Sequence, residues 1–494
     1  MPLFHINADG TRRVAWDKLL LWAAILGGAA LRLSLIAGQR FHADEAIYGY
    51  WAQLLASGQD SLLLSVPLDK PPLFIYLLAG VFKICGPTEI AARLISQAAG
   101  IAAVPLTYTL GRRLYGQATA ALAAIAVALS PFNILFAPTV FTDPLMVALI
   151  LGAMNLAAAE RWGWTGFATG LAVATKQQAL FFIPLIIGVA WIRSSQSVGT
   201  ITKLRPLLRM GFGFLSVMLI LTGWDALRWR VRASFWEQSI VSHGPLYLVE
   251  WWKLAGRLSG LSELLSWFFA SPPLNLLLLL GLPLLLWRSR RAVQAADWLL
   301  ASFSALFFLL HWLCSFSLWD RYLLGLVPLA SLLLARVMWL GARRLGIKNL
   351  GLAGLALALL LALPAARAVR EEYPLGGDHG LYQGLEQVTD FFRHQAPPGS
   401  VLWHRYLGWH YFHYLFDVPL DLRWYAEPDI LAAKASPETD APAYIVFPAW
   451  EKDAEPEARA ALESAGLGLK LERLVRRKDG SLAFSIYRLV PVPM

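Results

Sequence analysis

Run after run of mostly apolar residues fills the first three quarters of this chain, most of them near the roughly 20 residues that cross a bilayer, with 163–175 too short to span untilted. The runs are 18–37, 89–111, 117–136, 142–160, 163–175, 178–193, 207–228, 272–287, 295–315, 321–340 and 349–367. Soluble domains carry about 25% charged residues. Here 15% of 494 residues are charged and 57% are hydrophobic. A soluble surface has no room for that excess, which excludes a cytosolic enzyme, a disordered protein and a coiled coil. The expected fold is mostly α: a polytopic membrane helix bundle of about eleven spans, then a tail of about 125 residues.

Basic residues orient the bundle. Segment 71–86 (PPLFIYLLAGVFKICG) is a twelfth candidate span. If it does not cross, Arg112/Arg113, Arg161, Arg193/Lys203/Arg205/Arg209, Arg288/Arg290/Arg291 and Arg343/Arg344/Lys348 all fall on the side of the N-terminus. If it crosses, most of them flip outside. Its double proline and internal Lys83 agree with an interfacial segment. The expectation is a multi-pass protein of the plasma (inner) membrane, with a cytoplasmic N-terminus and an extracytoplasmic C-terminal domain. Arg12, Arg13 and Lys18 precede the first run, and no small-residue cleavage site follows it. That run is expected to be a retained span. The net charge of +10 then reports orientation, with some left for an anionic substrate and none calling for nucleic acid. Cys85 and Cys314 lie in separate apolar segments, and no disulfide framework is expected.

The division expected is a membrane domain at 1–369, with outer segments near 38–88 and 229–271, and a soluble domain at 370–494. In the first outer segment, ADEAIYGYWAQLL reads as an amphipathic helix on the membrane surface, with Ala46, Ile47, Tyr50, Trp51 and Leu54 on its apolar stripe. SVLWHRYLGWHYF, AYIVFPAW and LAFSIYRLV read as strands of a small α/β or mixed domain.

Several polar residues stand at the outer ends of the spans. Asp44-Glu45 suits a base that deprotonates an acceptor hydroxyl, and equally a helix cap with an acidic first turn. Lys70, in Asp69-Lys70-Pro71-Pro72, suits a lipid phosphate or an interfacial turn. Asp143, before Pro144, suits a helix cap, or a second carboxylate that orients the acceptor or shares a divalent cation with Asp44 or Glu45. Lys176, followed by Gln177 and Gln178, lies between two short spans, where an ammonium calls for an anion. Arg321 suits phosphate oxygens or headgroups. His243 is open to phosphate binding, acid–base work or a structural role. Arg32, inside the first run, is expected to snorkel or to meet an acidic residue. Metal binding by His410 and His413 is not expected, because their stretch reads as strand or loop. Neither a GxxxxGK[ST] nor a GxGxxG phosphate loop is present, so no nucleotide cofactor is implied.

The order of the motifs is more specific than any one of them. HADEAIYGYWAQLLASG is followed by LDKPPLFIYLLAGVFKICGPTEIAARLISQAAG, LTYTLGRRLYG, LSPFNILFAPTVFTDPLM, GLAVATKQQALFFIPL and WDRYLLGLVPLASLLLA. This series resembles the GT-C glycosyltransferases of the protein O-mannosyltransferase and aminoarabinose-transferase (ArnT-like) type, strongly over 18–193 and moderately around 318–335. The resemblance implies a polyprenyl-phosphate-linked sugar as donor, an active site at the outer face, and inversion at the anomeric carbon. It makes Asp44 the catalytic base, Glu45 its acidic neighbour and Asp143 the second loop carboxylate. It places Lys70, Lys176 and Arg321 near the lipid phosphate. In that family Gly-Pro usually follows the Thr-Lys pair, whereas here Gln177-Gln178 does. The acceptor is a lipid, a glycan or a protein. Two competing readings are a transporter or flippase of lipid-linked sugars, and a membrane scaffold whose Trp- and Tyr-rich tail binds glycans.

Overall fold

The computed structural model describes residues 4–6, 12–194, 200–288, 291–435 and 441–492. Arg290 lies outside the described residues, and of Arg12, Arg13, Lys203, Arg288 and Arg291 only the backbone is described. The chain forms two compact units: residues 1–37 with 58–376, and residues 38–57 with 377–494.

The first unit is a bundle of helices. By length and composition, Glu89–Tyr115, Arg205–Trp229, Gln294–Leu313, Asp320–Arg344 and Leu350–Val369 can cross a membrane, and shorter apolar helices accompany them. This is the multi-pass pattern of the sequence, with several runs subdivided. Run 117–136 breaks at Ser130-Pro131 into helices Gln117–Leu129 and Pro131–Phe136, because proline has no N–H to continue the ladder. The carbonyls left at that break explain Arg32. Its guanidinium is fully buried and donates to the carbonyls of Val127, Ala128 and Gly28 at 3.0, 2.9 and 2.8 Å. Arg32 therefore neither snorkels nor meets a carboxylate among these bonds; it satisfies a helix C-terminus, where a cation is favoured. Segment 71–86 forms helix Leu73–Cys85, 13 residues long. At about 1.5 Å per residue it measures roughly 20 Å, less than the hydrocarbon core.

Small residues bring helices Trp162–Thr175 and Thr200–Trp229 into close contact. A Cβ on Gly166 would fall 1.8 Å from the Met210 carbonyl oxygen, and one on Gly213 would fall 2.0 Å from that of Gly163. Only glycine allows two backbones this near, the usual device where water cannot drive helix association. The first of these helices ends at Lys176, whose backbone is extended (φ −156°, ψ 129°). A 3-10 turn, Gln177–Phe182, and helix Ile183–Ser194 follow.

Strands β1 (Phe4–Ile6) and β2 (Arg12–Val14) form a short antiparallel pair near the N-terminus. The second unit holds β3 (Val401–His404), β4 (Asp421–Trp424), β5 (Ala443–Pro448), β6 (Leu467–Arg476) and β7 (Leu482–Pro491), in the order β4-β3-β5-β7-β6. β3 pairs in parallel with β4 and β5, and β7 pairs antiparallel with β5 and β6, which makes the sheet mixed. Period-two alternation divides its residues between two cores. Leu402, Tyr444, Val446, Phe484 and Ile486 face helix Leu385–His394. Val401, Trp403, Ile445, Phe447 and Tyr487 face helix Ala454–Ser464.

Two expectations change in this unit. The stretch SVLWHRYLGWHYF is strand only to His404; Gly408–Tyr414 is helix, burying His410, Tyr411 and His413. Aromatic β-propensity yields here to packing. Residues 43–57 form the expected helix, Ala43–Ser57, but not the one-sided stripe of a surface helix. Tyr48, Gly49, Ala52, Gln53 and Leu55 are buried as well as Ala46, Trp51 and Leu54. The cause is helix Gly408–Tyr414, which packs against it. The His413 ring lies 2.7 Å from where a Gly49 Cβ would stand.

Candidate active site

In the first unit, a cavity of about 530 Å³ opens between the Lys176 turn, the segment 236–246 and the segment 311–322. Its wall is mainly apolar, with Leu180, Phe181, Trp236, Ile240, Leu246 and Phe316, and carries a few polar groups, among them Lys70, Lys176 and His243. This is the usual make-up of a small-molecule site.

Lys176 is the most constrained of these. Its Nζ lies 2.5 Å from Asp143 Oδ1, and both side chains are nearly sealed from solvent, at 7% and 2% exposure. The ammonium also sits 4.4 Å from the centre of the Tyr322 ring. Burial pushes Lys176 down to about 8, against the attraction of Asp143. Asp143 is the first residue of helix Asp143–Ala158 rather than its cap; Thr142 occupies that position. Asp143 is thus placed for Lys176, the anion that a buried lysine requires.

Lys70 Nζ bonds Asp69 Oδ2 at 2.9 Å, with both side chains mostly buried. His243 ends helix Phe235–His243, its Nδ1 3.0 Å from the Ser239 carbonyl oxygen. Arg321 is not among the residues lining the cavity. Its guanidinium stands 4.6 Å over the Phe141 ring, and its backbone N–H donates to Asp320 Oδ1 at 2.7 Å.

Asp44 and Glu45 begin helix Ala43–Ser57 of the second unit. Glu45 is buried, and its Oε2 accepts the backbone N–H of His42 at 2.7 Å, as a capping-box carboxylate does. The capping role thus belongs to Glu45, and Asp44 is half-buried. Among the described residues, no three His, Cys, Asp or Glu side chains are grouped to hold a metal ion.

Sequence reasoning missed His311. It is buried in the cavity wall, stacked between Phe307 (4.3 Å) and Phe316 (5.0 Å), with Nδ1 2.9 Å from the Phe307 carbonyl oxygen. The available signal was a titratable residue inside an apolar run, which by default marks a functional position.

Residues 69–224 match the family model for dolichyl-phosphate-mannose-protein mannosyltransferases. The chain superimposes on ArnT from Cupriavidus metallidurans in its apo state with a TM-score of 0.67 at 14% identity, covering 96% of this chain and 97% of that one. The undecaprenyl phosphate-bound form of ArnT gives 0.64 at 14% identity, over 96% and 98%. The oligosaccharyltransferase AglB from Archaeoglobus fulgidus, in complex with an inhibitory peptide and a dolichol-phosphate, gives 0.52 at 12% identity, over 95% and 74%. No curated protein matches the chain by sequence. The likeness read from the motif order is therefore borne out: the chain has the fold of ArnT over nearly its whole length, and a segment bearing Lys70, Asp143 and Lys176 matches the mannosyltransferase family model.

Proposed function

We propose that the protein transfers a sugar from a polyprenyl-phosphate carrier to an acceptor hydroxyl at the extracytoplasmic membrane face, with inversion. The observation that carries this reading is the cavity: a mainly apolar wall bearing Lys70 and Lys176 suits a lipid phosphate better than a free sugar or a nucleotide. In this reading Asp44 takes the proton of the acceptor hydroxyl while its oxygen attacks the anomeric carbon. The bond from that carbon to the phosphate oxygen breaks, and the polyprenyl phosphate departs. Negative charge grows on the departing phosphate, where fixed cations stabilise the transition state most. Lys70 and Lys176 supply them, with His243 at the cavity wall and Arg321 nearby in the chain fold. Asp143 keeps the buried Lys176 charged and placed; Glu45 holds the start of the helix that bears Asp44. The N-terminus is cytoplasmic in this reading.

The test is lipid mass spectrometry on cells lacking the protein, complemented with wild type or Asp44→Asn at matched expression. The expected result is a polyprenyl-phosphate sugar that accumulates with Asp44→Asn and is cleared by wild type. Equal clearance by both would remove Asp44 as base and favour a transporter of lipid-linked sugars.

A further inference from the structure

We infer that Gln177 and Gln178 are positioning residues that cross-link the cation-bearing segments around the cavity and so set its affinity for a polyprenyl monophosphate. This rests on the donor-site reading above and goes beyond it, because neither amide has a role there.

The two side chains leave the 3-10 turn after Lys176 in different directions and tie down three segments distant in sequence. Gln177 Nε2 donates to the Asp69 carbonyl at 3.0 Å and to Ser239 Oγ at 2.9 Å. Asp69 precedes Lys70 and binds its ammonium; the Ser239 carbonyl binds the His243 ring. Gln178 Nε2 donates to the Tyr322 carbonyl at 3.0 Å, and the Tyr322 ring faces the Lys176 ammonium. One dipeptide thus links the Lys70 loop of the cavity, the His243 helix and the Arg321-Tyr322 turn to Lys176.

The orientation of both amides is chemically determined. Backbone carbonyls only accept, so an NH2 group must face them. Both amide oxygens are buried and have no hydrogen-bond partner among the described residues. An unmade buried bond is costly, so the bonds made by the two NH2 groups are what offset it. Apolar side chains at these two positions could make none of the three bonds. The segments left unlinked would carry like charges, Lys70, Lys176 and Arg321, that repel at short range.

The experiment uses the purified full-length chain in lipid nanodiscs with undecaprenyl phosphate as probe, measuring binding against pH alongside the melting temperature. Gln177→Leu and Gln178→Leu are each expected to bind about tenfold more weakly, with melting little changed. In Gln178→Leu the alkaline loss of binding should also begin at lower pH, because the Tyr322 ring no longer supports the Lys176 charge. Lys70→Ala is the reference. If it binds as wild type does, the donor-site reading falls and takes the inference with it. If Lys70→Ala loses binding while the folded glutamine variants keep wild-type affinity and pH profile, the inference alone is overturned. Should the leucine variants not fold, Ser239→Ala decides: it removes one partner of Gln177 at the surface of the cavity, with about threefold weaker binding expected and unchanged binding overturning the role.

Discussion

Lys176 and Asp143 of the first unit lie together and nearly sealed from solvent, whereas His410 and His413 of the second are equally buried but rest on neutral groups. The His410 Nε2 lies 3.0 Å from the Phe41 carbonyl oxygen, and His413 meets the Gln53 amide. Burial lowers His410 to about 4 and His413 to about 3, so both rings are uncharged at neutral pH. One unit keeps a buried charge by supplying its counter-charge; the other avoids the charge altogether. Both satisfy the rule that an unpaired ion does not stay in a low-dielectric interior. The difference lies in the surroundings: the ammonium borders a cavity, while the neutral imidazoles are enclosed by packing.

The strongest way to break this comparison is Asp44→Asn. Asp44 is half-buried at the start of its helix and makes the proposed proton transfer, so turnover should fall roughly 10²- to 10⁴-fold with little change in melting. A stable variant with wild-type turnover would remove Asp44 from the chemistry. Next is Lys176→Met, which leaves Asp143 buried without its cation and should cost about 3–5 kcal/mol of stability. Adding Asp143→Leu should restore the stability, read by thermal melting, but not the binding of undecaprenyl phosphate. Recovery of binding as well would reduce the pair to a structural one.

The histidines sharpen the contrast through pH. Their folded pKa values lie below the unfolded value, so the unfolded chain binds more protons and stability falls as pH drops below about 6.5. By pH 5 the loss should be roughly 2 kcal/mol for each ring. His413→Gln should make this acid limb shallower by about that amount, His410 and His404 keeping the rest, and an unchanged limb would show that other groups control it. On the alkaline side, Lys176 near 8 gives the opposite sign: its charged form binds phosphate, so affinity should fall up to about tenfold per unit above that pH. A pH-independent affinity up to 10 would exclude Lys176 as a phosphate ligand. The smallest effect is Glu45→Ala, which removes the bond to the His42 N–H and should cost about 1 kcal/mol of stability. Its melting curve, set beside that of Asp44→Asn, separates cap from base.

Much of the site was legible because its residues sit at the ends of apolar runs, where a polar side chain is conspicuous. Lys70, Lys176 and His243 were found this way, and the structure brings them to one cavity. Arg321 was found by the same signal, but its guanidinium stacks on Phe141 and does not line that cavity. His311 escaped because it lies well inside a run. Neither Asp44 nor Asp143 is the cap itself: both lie inside their helices, where Glu45 reaches back to the His42 N–H and Thr142 precedes Asp143. Spacing identifies a helix start to within a residue or two and no better.

The sequence by itself determined the class of this protein. Hydrophobic composition, run length and the strand-like runs of the tail follow from local chain chemistry, and they yield a membrane bundle with a small sheet domain. The tertiary structure alone decided which residues share a compact unit. Helix Ala43–Ser57, 320 residues before the second unit resumes at Gly377 by about that count, folds with the sheet domain and not with the bundle. It alone gave Lys176 its Asp143, Gln178 its Tyr322 carbonyl and Arg32 its helix end. Each of these pairs residues far apart in the chain, and what joins them is the cost of leaving a buried polar group unpaired, which acts only after the helices have closed around it.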